Sequence, residues 1–133
     1  MDMDLATMNE MCKGTLPGLL GLHFTDASPE RVAAQLEHRP ELTTFGGSLH
    51  GGTLMALADT VGAFATALNL PPGASTTTLE SKTNFFAAGR GGTIRAESTP
   101  LHRGRRTMVW QTRVTDESGR LLSLTIQTQM VLT

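Results

Sequence analysis

The sequence predicts an α+β fold in which a curved antiparallel sheet wraps around one long central helix. Residues 50–70 place apolar side chains at helical spacing until "PPG" ends the run, whereas apolar and polar residues alternate from Ala74 onward. Short turns separate the alternating segments, and short connections favour antiparallel neighbours. A helix this apolar must cover one face of the sheet, which therefore has to curve around it.

The predicted elements follow one another along the chain. Residues 4–13 carry apolar side chains at roughly helical spacing and predict a short helix within an N-terminal segment, residues 1–14, that ends at "KGTLPG". The stretch "LLGLHFTDASPERVAAQLEH" breaks at "DASPE" into two extended runs, which predict a hairpin. The loop "RPELTTFGGS" precedes the long helix. Four strands come after it: "TTTLESKTNFF", "GTIRAESTPL", "TMVWQTRVTD" and "LLSLTIQTQMVL".

Length, charge and composition narrow the function classes. The 133 residues suit a single domain, residues 1–133, without internal repeats or linkers. A formal net charge of -1 with scattered basic residues gives no electrostatic support for nucleic-acid binding. The sequence has neither a signal-peptide pattern nor an apolar stretch long enough to span a membrane, and its one cysteine cannot form an internal disulfide. We therefore expect a cytoplasmic protein that binds neither nucleic acid nor membrane.

A carboxylate stands in the apolar helix, in the segment "SLHGGTLMALADT". The neighbours of Asp59 one helical turn away cannot pair with a charge; they are Met55, Ala56, Gly62 and Ala63. Burial of an unpaired carboxylate costs several kcal/mol, so something outside the helix must compensate. One interpretation is a partly exposed carboxylate bonded to a nearby backbone group or hydroxyl such as that of Thr60. The other is that the small neighbours leave room for a ligand.

The start of the same helix offers hydrogen-bond donors. First-turn N–H groups have no partner within a helix and lie at the positive end of its dipole, and Gly51 and Gly52 allow a close approach. Gly51 and Asp59 are eight positions apart, about 12 Å along a helix axis. One carbonyl group cannot touch both. If both act on one reacting atom, they must come from two chains whose helices pair antiparallel across a dimer interface.

These residues belong to a recognisable pattern. "LHGGTLMALADT", followed by "GRGGTIRAESTPLHRGRRTMVWQTRVTDESGRLLS", resembles the hotdog-fold acyl-CoA thioesterases, in the PaaI-like branch of phenylacetic-acid-degradation and bacterial 4-hydroxybenzoyl-CoA thioesterases. The resemblance runs from about Gly18 to the C-terminus. It implies hydrolysis of an aryl- or medium-chain acyl-CoA to free acid and CoA, with no cofactor because coenzyme A is part of the substrate. It also implies a homotetramer built as a dimer of dimers.

The resemblance implies roles for single residues. Asp59 takes the place of the nucleophile or general base, Gly51 supplies the oxyanion-hole amide, and His50 orients the thioester carbonyl or the loop. The chain departs from the pattern at two positions. Thr44 stands where some relatives have a glutamine, and Ala63 stands where they have a hydroxyl residue one turn after the acid. Water positioning is therefore expected to differ from that of such relatives.

Further residues are candidates for substrate binding. Arg90 and the "HRGRR" turn offer cations for the CoA phosphates, although a basic turn can also be merely solvated. Alternate side chains of "TTTLESKTNFF" face the helix and are expected to line the pocket opposite Asp59. The complete predicted binding set is Thr44, Gly52, Ala63, Ser81, Thr83, Asn84, Arg90, His102, Arg103, Gly104 and Arg105.

Two other functions fit the same sequence. An acyl-CoA hydratase or dehydratase of this fold also uses a histidine and an acid, although the H-G-G opening favours hydrolysis. A non-catalytic acyl-CoA-binding module would not need an acid in the helix. A metal site is not expected, because His23 and His38 have no partner at metal-ligand spacing.

Overall fold

The computed structural model describes residues 3–133 as three α-helices, two short 3-10 helices and six strands. The long helix, the N-terminal hairpin and the four C-terminal strands predicted from the sequence are confirmed. The helices are α1 (Leu5–Cys12), α2 (Leu16–Leu20) and α3 (Gly51–Ala67). The strands are β1 (His23–Ser28), β2 (Arg31–Glu37), β3 (Ser75–Phe85), β4 (Thr93–Arg103), β5 (Thr107–Thr115) and β6 (Leu121–Leu132).

All six strands form one open antiparallel sheet in the order β1-β2-β4-β5-β6-β3. The short connection between β3 and β4 suggested that these strands are neighbours, and this expectation is wrong. β3 pairs with β6 at the edge of the sheet, with Thr83 opposite Thr125. The connecting residues do not form a tight turn, because Phe86 N donates to Leu122 O on β6 and Leu49 N donates to Gly89 O. The connection thus passes the start of α3 on its way to β4.

The helix α2 was not predicted, since residues 16–18 were assigned to the stop signal "KGTLPG" and Leu19 and Leu20 to the first extended run. Thr15 precedes the helix in an extended conformation, and Pro17 lies in the first turn, where its missing N–H costs nothing. Gly21 then ends the helix in the left-handed region, at a φ of 77°. The first strand consequently begins only at His23.

The helix α3 buries one side against the sheet and leaves the other side uncovered. Leu57, Val61 and Ala65 are fully buried, whereas Met55 on the opposite side is 37% exposed. Trp110 is fully buried on β5 and belongs to the core between helix and sheet. Within the described chain α3 is the longest helix, at 17 residues, and no helix has the length and hydropathy needed to cross a membrane.

A row of buried hydroxyl groups crosses the helix-facing side of the sheet and gives a first prediction, about stability. Thr112 lies opposite Thr125 in the sheet, and both side chains are fully buried. Thr125 Oγ1 lies 2.7 Å from Thr83 Oγ1, but Thr112 Oγ1 has no partner in residues 3–133. We expect Thr112→Val to leave the free energy of unfolding unchanged or to raise it by about 1 kcal/mol, and Thr125→Val to lower it by about 1 kcal/mol.

Urea denaturation of the two valine variants and the unchanged protein measures this difference. The two substitutions remove the same atoms from equally buried positions, so each serves as the control for the other. A loss of stability in Thr112→Val as large as that in Thr125→Val would contradict the prediction.

Candidate active site

Asp59 lies on the uncovered side of α3, two turns from its start. An apolar helix suggested that Asp59 is fully buried, and in the single chain this expectation is wrong. The sheet covers one side of the helix only, and Asp59 is half-buried. Its partners lie outside the helix. Thr78 Oγ1 on β3 donates a 2.7 Å hydrogen bond to Asp59 Oδ1, and Gln127 Nε2 on β6 donates to the same oxygen over 3.2 Å. Thr60 is not a partner, because its hydroxyl donates to Ala56 O.

A buried polar network stands behind this carboxylate. Gln127 Nε2 lies 3.0 Å from Gln129 Oε1, and Gln129 Nε2 lies 3.0 Å from Thr76 Oγ1. Thr76 in turn donates to the backbone oxygen of Met130. Both glutamines are buried, Gln127 to 1% exposure and Gln129 completely. Thr78 and the two glutamines were not predicted as site residues.

The start of α3 leaves one backbone donor unused. His50 caps the helix, since its Nδ1 accepts a 2.7 Å hydrogen bond from Gly52 N. Thr53 N and Leu54 N both donate to the backbone oxygen of His50. The Gly51 N–H has no acceptor in the described part of the chain. Gly51 is therefore the first-turn position whose donor can serve an external acceptor.

The cap also determines how His50 and Gly52 can act. Because Nδ1 of His50 accepts a hydrogen bond, the ring carries its hydrogen on Nε2, which is free to donate. The His50 side chain is exposed at the mouth of the helix start. Gly52 was predicted to bind substrate, but its N–H is occupied by the cap. Any contact of Gly52 with a ligand must therefore come from its exposed Cα.

The remaining pocket candidates are not all placed as predicted. Thr83 faces the helix and bonds to Thr125, and Ser81 Oγ is buried without a hydrogen-bond partner in residues 3–133. Asn84 lies on the opposite face of the strand and accepts a 2.6 Å hydrogen bond from Lys82 Nζ, so it does not face α3 as expected. The reason is the alternation of side chains, which puts Thr83 and Asn84 on different faces.

Thr44 and Ala63 mark the two departures from the family pattern. Thr44 is exposed in the loop before α3, and its backbone N donates to Ser48 O over 2.8 Å. Ala63 lies one turn after Asp59 on the uncovered side of the helix and is half-buried. Neither side chain can offer an amide to a substrate. The polar side chains that contact the acid are instead those of Thr78 and Gln127.

The predicted phosphate-binding residues do not form one cluster in the chain. Arg90 Nη1 donates to Gly46 O beside the start of α3. Arg103 Nη1 donates to Asn69 Oδ1 and to Pro29 O beyond the end of α3, so this guanidinium is already engaged. His102 and Arg103 end β4, and Gly104 and Arg105 form the turn after it. The length of α3, about 24 Å, thus separates the two groups of cations.

An apolar groove begins at Ala63, one helical turn after Asp59. It has a volume of about 240 Å³ and is lined mainly by aliphatic and aromatic side chains. Ala63, Phe64 and Ala67 form its wall on α3, Met3 and Met11 come from the N-terminal segment, and Ser75 and Thr76 lie at the β3 side. Since Ala63 follows Asp59 by one helical turn, the groove runs from the acid toward the end of α3.

Cys12 does not contribute a nucleophile to this site. It is buried in α1, where its Sγ donates to Met8 O. Burial raises the pKa of the Cys12 thiol, which disfavours the reactive thiolate.

A long helix covered by an open antiparallel sheet of six strands is the architecture of the hotdog fold. The sequence profile of the thioesterase superfamily matches residues 46–123. The 1,4-dihydroxy-2-naphthoyl-CoA hydrolase of Escherichia coli K12 is 32% identical over 117 residues, which cover 88% of this chain and 86% of that protein. The proofreading thioesterase EntH of Cronobacter turicensis is 31% identical over 118 residues, covering 89% of this chain and 86% of that protein.

A solved structure agrees with these relatives. The crystal structure of thioesterase HI1161 from Haemophilus influenzae matches with a TM-score of 0.96 at 27% identity, covering 100% of this chain and 93% of that one. The chain belongs to the thioesterase superfamily and is a thioester hydrolase with the hotdog fold. The family, the fold and the class of enzyme predicted from the sequence are thereby confirmed.

Proposed function

We propose that the enzyme hydrolyses acyl-CoA thioesters with an apolar acyl group, aryl or of medium chain length, at a site shared by two chains. The observation that carries this proposal is the free Gly51 N–H at the start of α3 combined with the Asp59 carboxylate two turns later on the same uncovered side. One group is a donor for a developing oxyanion and the other is a base, and these are the two functions that thioester hydrolysis needs.

In the proposed reaction, Asp59 takes a proton from a water molecule whose oxygen attacks the thioester carbonyl carbon. The carbonyl oxygen becomes an oxyanion and accepts the hydrogen bond of the Gly51 N–H, assisted by His50 Nε2–H. The carbon–sulfur bond then breaks, and the CoA thiolate takes the proton from Asp59. We place Asp59 as a general base because its side chain is one methylene shorter than that of glutamate, which leaves room for a water molecule.

The two groups cannot serve one carbonyl from the same helix, so the proposed site lies between chains. Antiparallel pairing of two α3 helices sets each Gly51 opposite the Asp59 of the other chain. Two features support this pairing. The uncovered side of α3 is apolar and exposes Met55, and β3 is a sheet edge of 11 residues that a second chain can cover. A dimer of two such dimers is the proposed assembly, since Leu101 and Leu132 on the sheet are also exposed.

The same pairing supports a CoA site. Arg90 lies at the start of α3 and the turn formed by Gly104 and Arg105 lies beyond its end. With Gly51 opposite the partner's Asp59, the end of the partner's α3 extends about 12 Å past Gly51, on the side of the loop that Arg90 contacts at Gly46. Cations that are separated within one chain therefore come closer together across the interface. Arg90 of one chain and Arg105 of its partner are the proposed phosphate contacts, because Arg103 is held by Asn69 and Pro29.

The groove beside Asp59 sets the acyl group that we propose. Among residues 3–133, its lining offers hydroxyls only at Ser75 and Thr76 and no charged side chain. A neutral apolar acyl group fits such a lining, whereas an acyl group with a carboxylate would have to lose its hydration without a partner. We expect hexanoyl-CoA and benzoyl-CoA to be hydrolysed with a kcat/KM at least about 100-fold above that of succinyl-CoA, a difference of about 3 kcal/mol.

Release of the CoA thiol, followed with a thiol-reactive dye over this panel, tests both the function and the acyl class. Equal rates for succinyl-CoA and hexanoyl-CoA would contradict the proposed acyl class. Hydration of an enoyl-CoA without thiol release would favour the hydratase, and tight binding of all three thioesters without turnover would favour the binding module.

A further inference from the structure

The carboxylate of Asp59 is held asymmetrically. Thr78 Oγ1 and Gln127 Nε2 donate to the same oxygen, Oδ1, over 2.7 Å and 3.2 Å. Oδ2 has no hydrogen-bond partner in residues 3–133. A carboxylate on a short side chain has two rotatable bonds, and two donors from different strands are enough to fix both. The oxygen left without a partner is the one that can meet a water molecule.

We propose that Thr78 and Gln127 are positioning residues, which hold Asp59 by Oδ1 so that Oδ2 is presented as the base. This proposal rests on the proposed function, since it assigns the orientation of the same acid. Positioning of this kind matters because a reacting group displaced by about 1 Å can lose about 100-fold in rate.

The donors are themselves immobilised by the buried network. Gln127 Nε2 also donates to Gln129 Oε1, and the Gln129 amide is held by Thr76, which is bonded to the β6 backbone. The chain of bonds therefore connects the side chain of Asp59 to the ladder between β3 and β6. Because both glutamines are shielded from solvent, water cannot replace a broken hydrogen bond, and the loss of one carries a high free-energy cost.

Only one hydrogen is available on the Thr78 hydroxyl, although it has two possible acceptors. Asp59 Oδ1 lies 2.7 Å from Thr78 Oγ1 and Gln129 Oε1 lies 2.6 Å from it. An ionised carboxylate is the stronger acceptor, so we assign the hydrogen to Asp59. Gln129 Oε1 still receives the hydrogen bond from Gln127 and is not left without a donor.

Gly62 makes room for this arrangement within α3. A Cβ atom at this position would lie 2.3 Å from Gln127 Oε1 and 2.4 Å from its Cδ, so the amide could not stay where it is. Glycine in the middle of a helix ordinarily costs about 1 kcal/mol relative to alanine. The proposal explains why a glycine stands here, since only the absence of a side chain lets the Gln127 amide reach Asp59.

The test compares Thr78→Val, Thr78→Ser and Thr125→Val in the thiol-release assay with hexanoyl-CoA. We expect Thr78→Val to lower kcat by about 10- to 100-fold with KM within about threefold, and Thr78→Ser to restore most of the rate. Thr125→Val is the matched control, because it removes another buried threonine hydrogen bond that does not reach Asp59. Its kcat should stay within about threefold of the unchanged enzyme.

A second variant reaches the other donor. Gly62→Ala displaces the Gln127 amide while the alanine favours the helix, and we expect it to lower kcat with little change in KM. If Thr78→Val does not fold, Gly62→Ala still tests whether the donors to Asp59 position the acid. Equal kcat values for Thr78→Val and Thr125→Val, no rescue by serine, or full activity of Gly62→Ala would overturn the positioning role.

The charge-removing variant Asp59→Asn separates this proposal from the one on which it rests. If Asp59→Asn keeps normal turnover, the proposed function is wrong whatever the other variants do. If Asp59→Asn is inactive while Thr78→Val behaves like Thr125→Val, the acid is catalytic and only its positioning has been misassigned.

Discussion

Replacement of Asp59 by asparagine is expected to lower kcat for hexanoyl-CoA by about 1,000-fold, within the range by which a general base accelerates proton transfer. The amide keeps the shape of the carboxylate, and its oxygen can still accept the hydrogen bonds of Thr78 and Gln127. It has no oxygen basic enough to take a proton from water. Because Asp59 forms no ion pair within residues 3–133 and its side chain is bonded to the neutral Thr78 and Gln127, the free energy of unfolding should fall by no more than about 1 kcal/mol.

Steady-state thiol release measures the loss of turnover, and thermal unfolding followed by circular dichroism shows whether the fold is kept. Asp26→Asn serves as the control, because Asp26 is an exposed carboxylate paired with Arg31 at the far edge of the sheet. That variant should hydrolyse hexanoyl-CoA normally. Turnover by Asp59→Asn within about tenfold of the unchanged enzyme would exclude Asp59 as the base.

The elements of the fold could be predicted because each one has a local signal. Helical spacing of apolar residues between His50 and Leu70, followed by proline, was enough to place α3, and alternation was enough to place the four C-terminal strands. Pairing is not local. Nothing in the segment after Phe85 shows that β3 lies beside β6 and not beside β4, since that order depends on how the whole open sheet curves around the helix.

The lack of a local signal for strand pairing also explains which parts of the candidate site were missed. Asp59 and the glycines stand out within one segment, because a charge in an apolar helix and two glycines at its start are visible in the sequence. Gln127 and Thr78 do not stand out, since polar residues at alternate positions of a strand are typical of a solvent-facing side. Their partnership with Asp59 requires β3 and β6 to be adjacent, and inward-facing polar residues on both strands were the available signal.

The second large effect concerns the oxyanion donor, which is a backbone group and cannot be removed by changing a side chain. Gly51→Pro deletes the N–H at the first position of α3, where proline is well tolerated. His50 has a φ of -61° and a ψ of 139°, an extended conformation that suits the residue before a proline. We expect kcat/KM to fall by about 100- to 1,000-fold, which is typical for loss of one oxyanion-hole donor.

Gly51→Ala is the control for this substitution. In both variants a Cβ atom lies about 3.1 Å from Cζ of Phe85, whose exposed ring can move aside, but alanine keeps the N–H. The alanine variant should therefore retain most of the activity that the proline variant loses. Equal losses in the two variants would show that the side chain and not the donor is responsible.

Mixing the two inactive chains tests whether donor and base come from different subunits. In a dimer of one Gly51→Pro chain and one Asp59→Asn chain, one site combines both defects, and the other combines the intact Gly51 N–H with the intact Asp59. Random co-assembly should then restore about a quarter of the activity of the unchanged enzyme, because half of the dimers are mixed and each has one working site. If both groups acted from one chain, every site in the mixture would lack one of them, and co-expression would give no more activity than the parent variants.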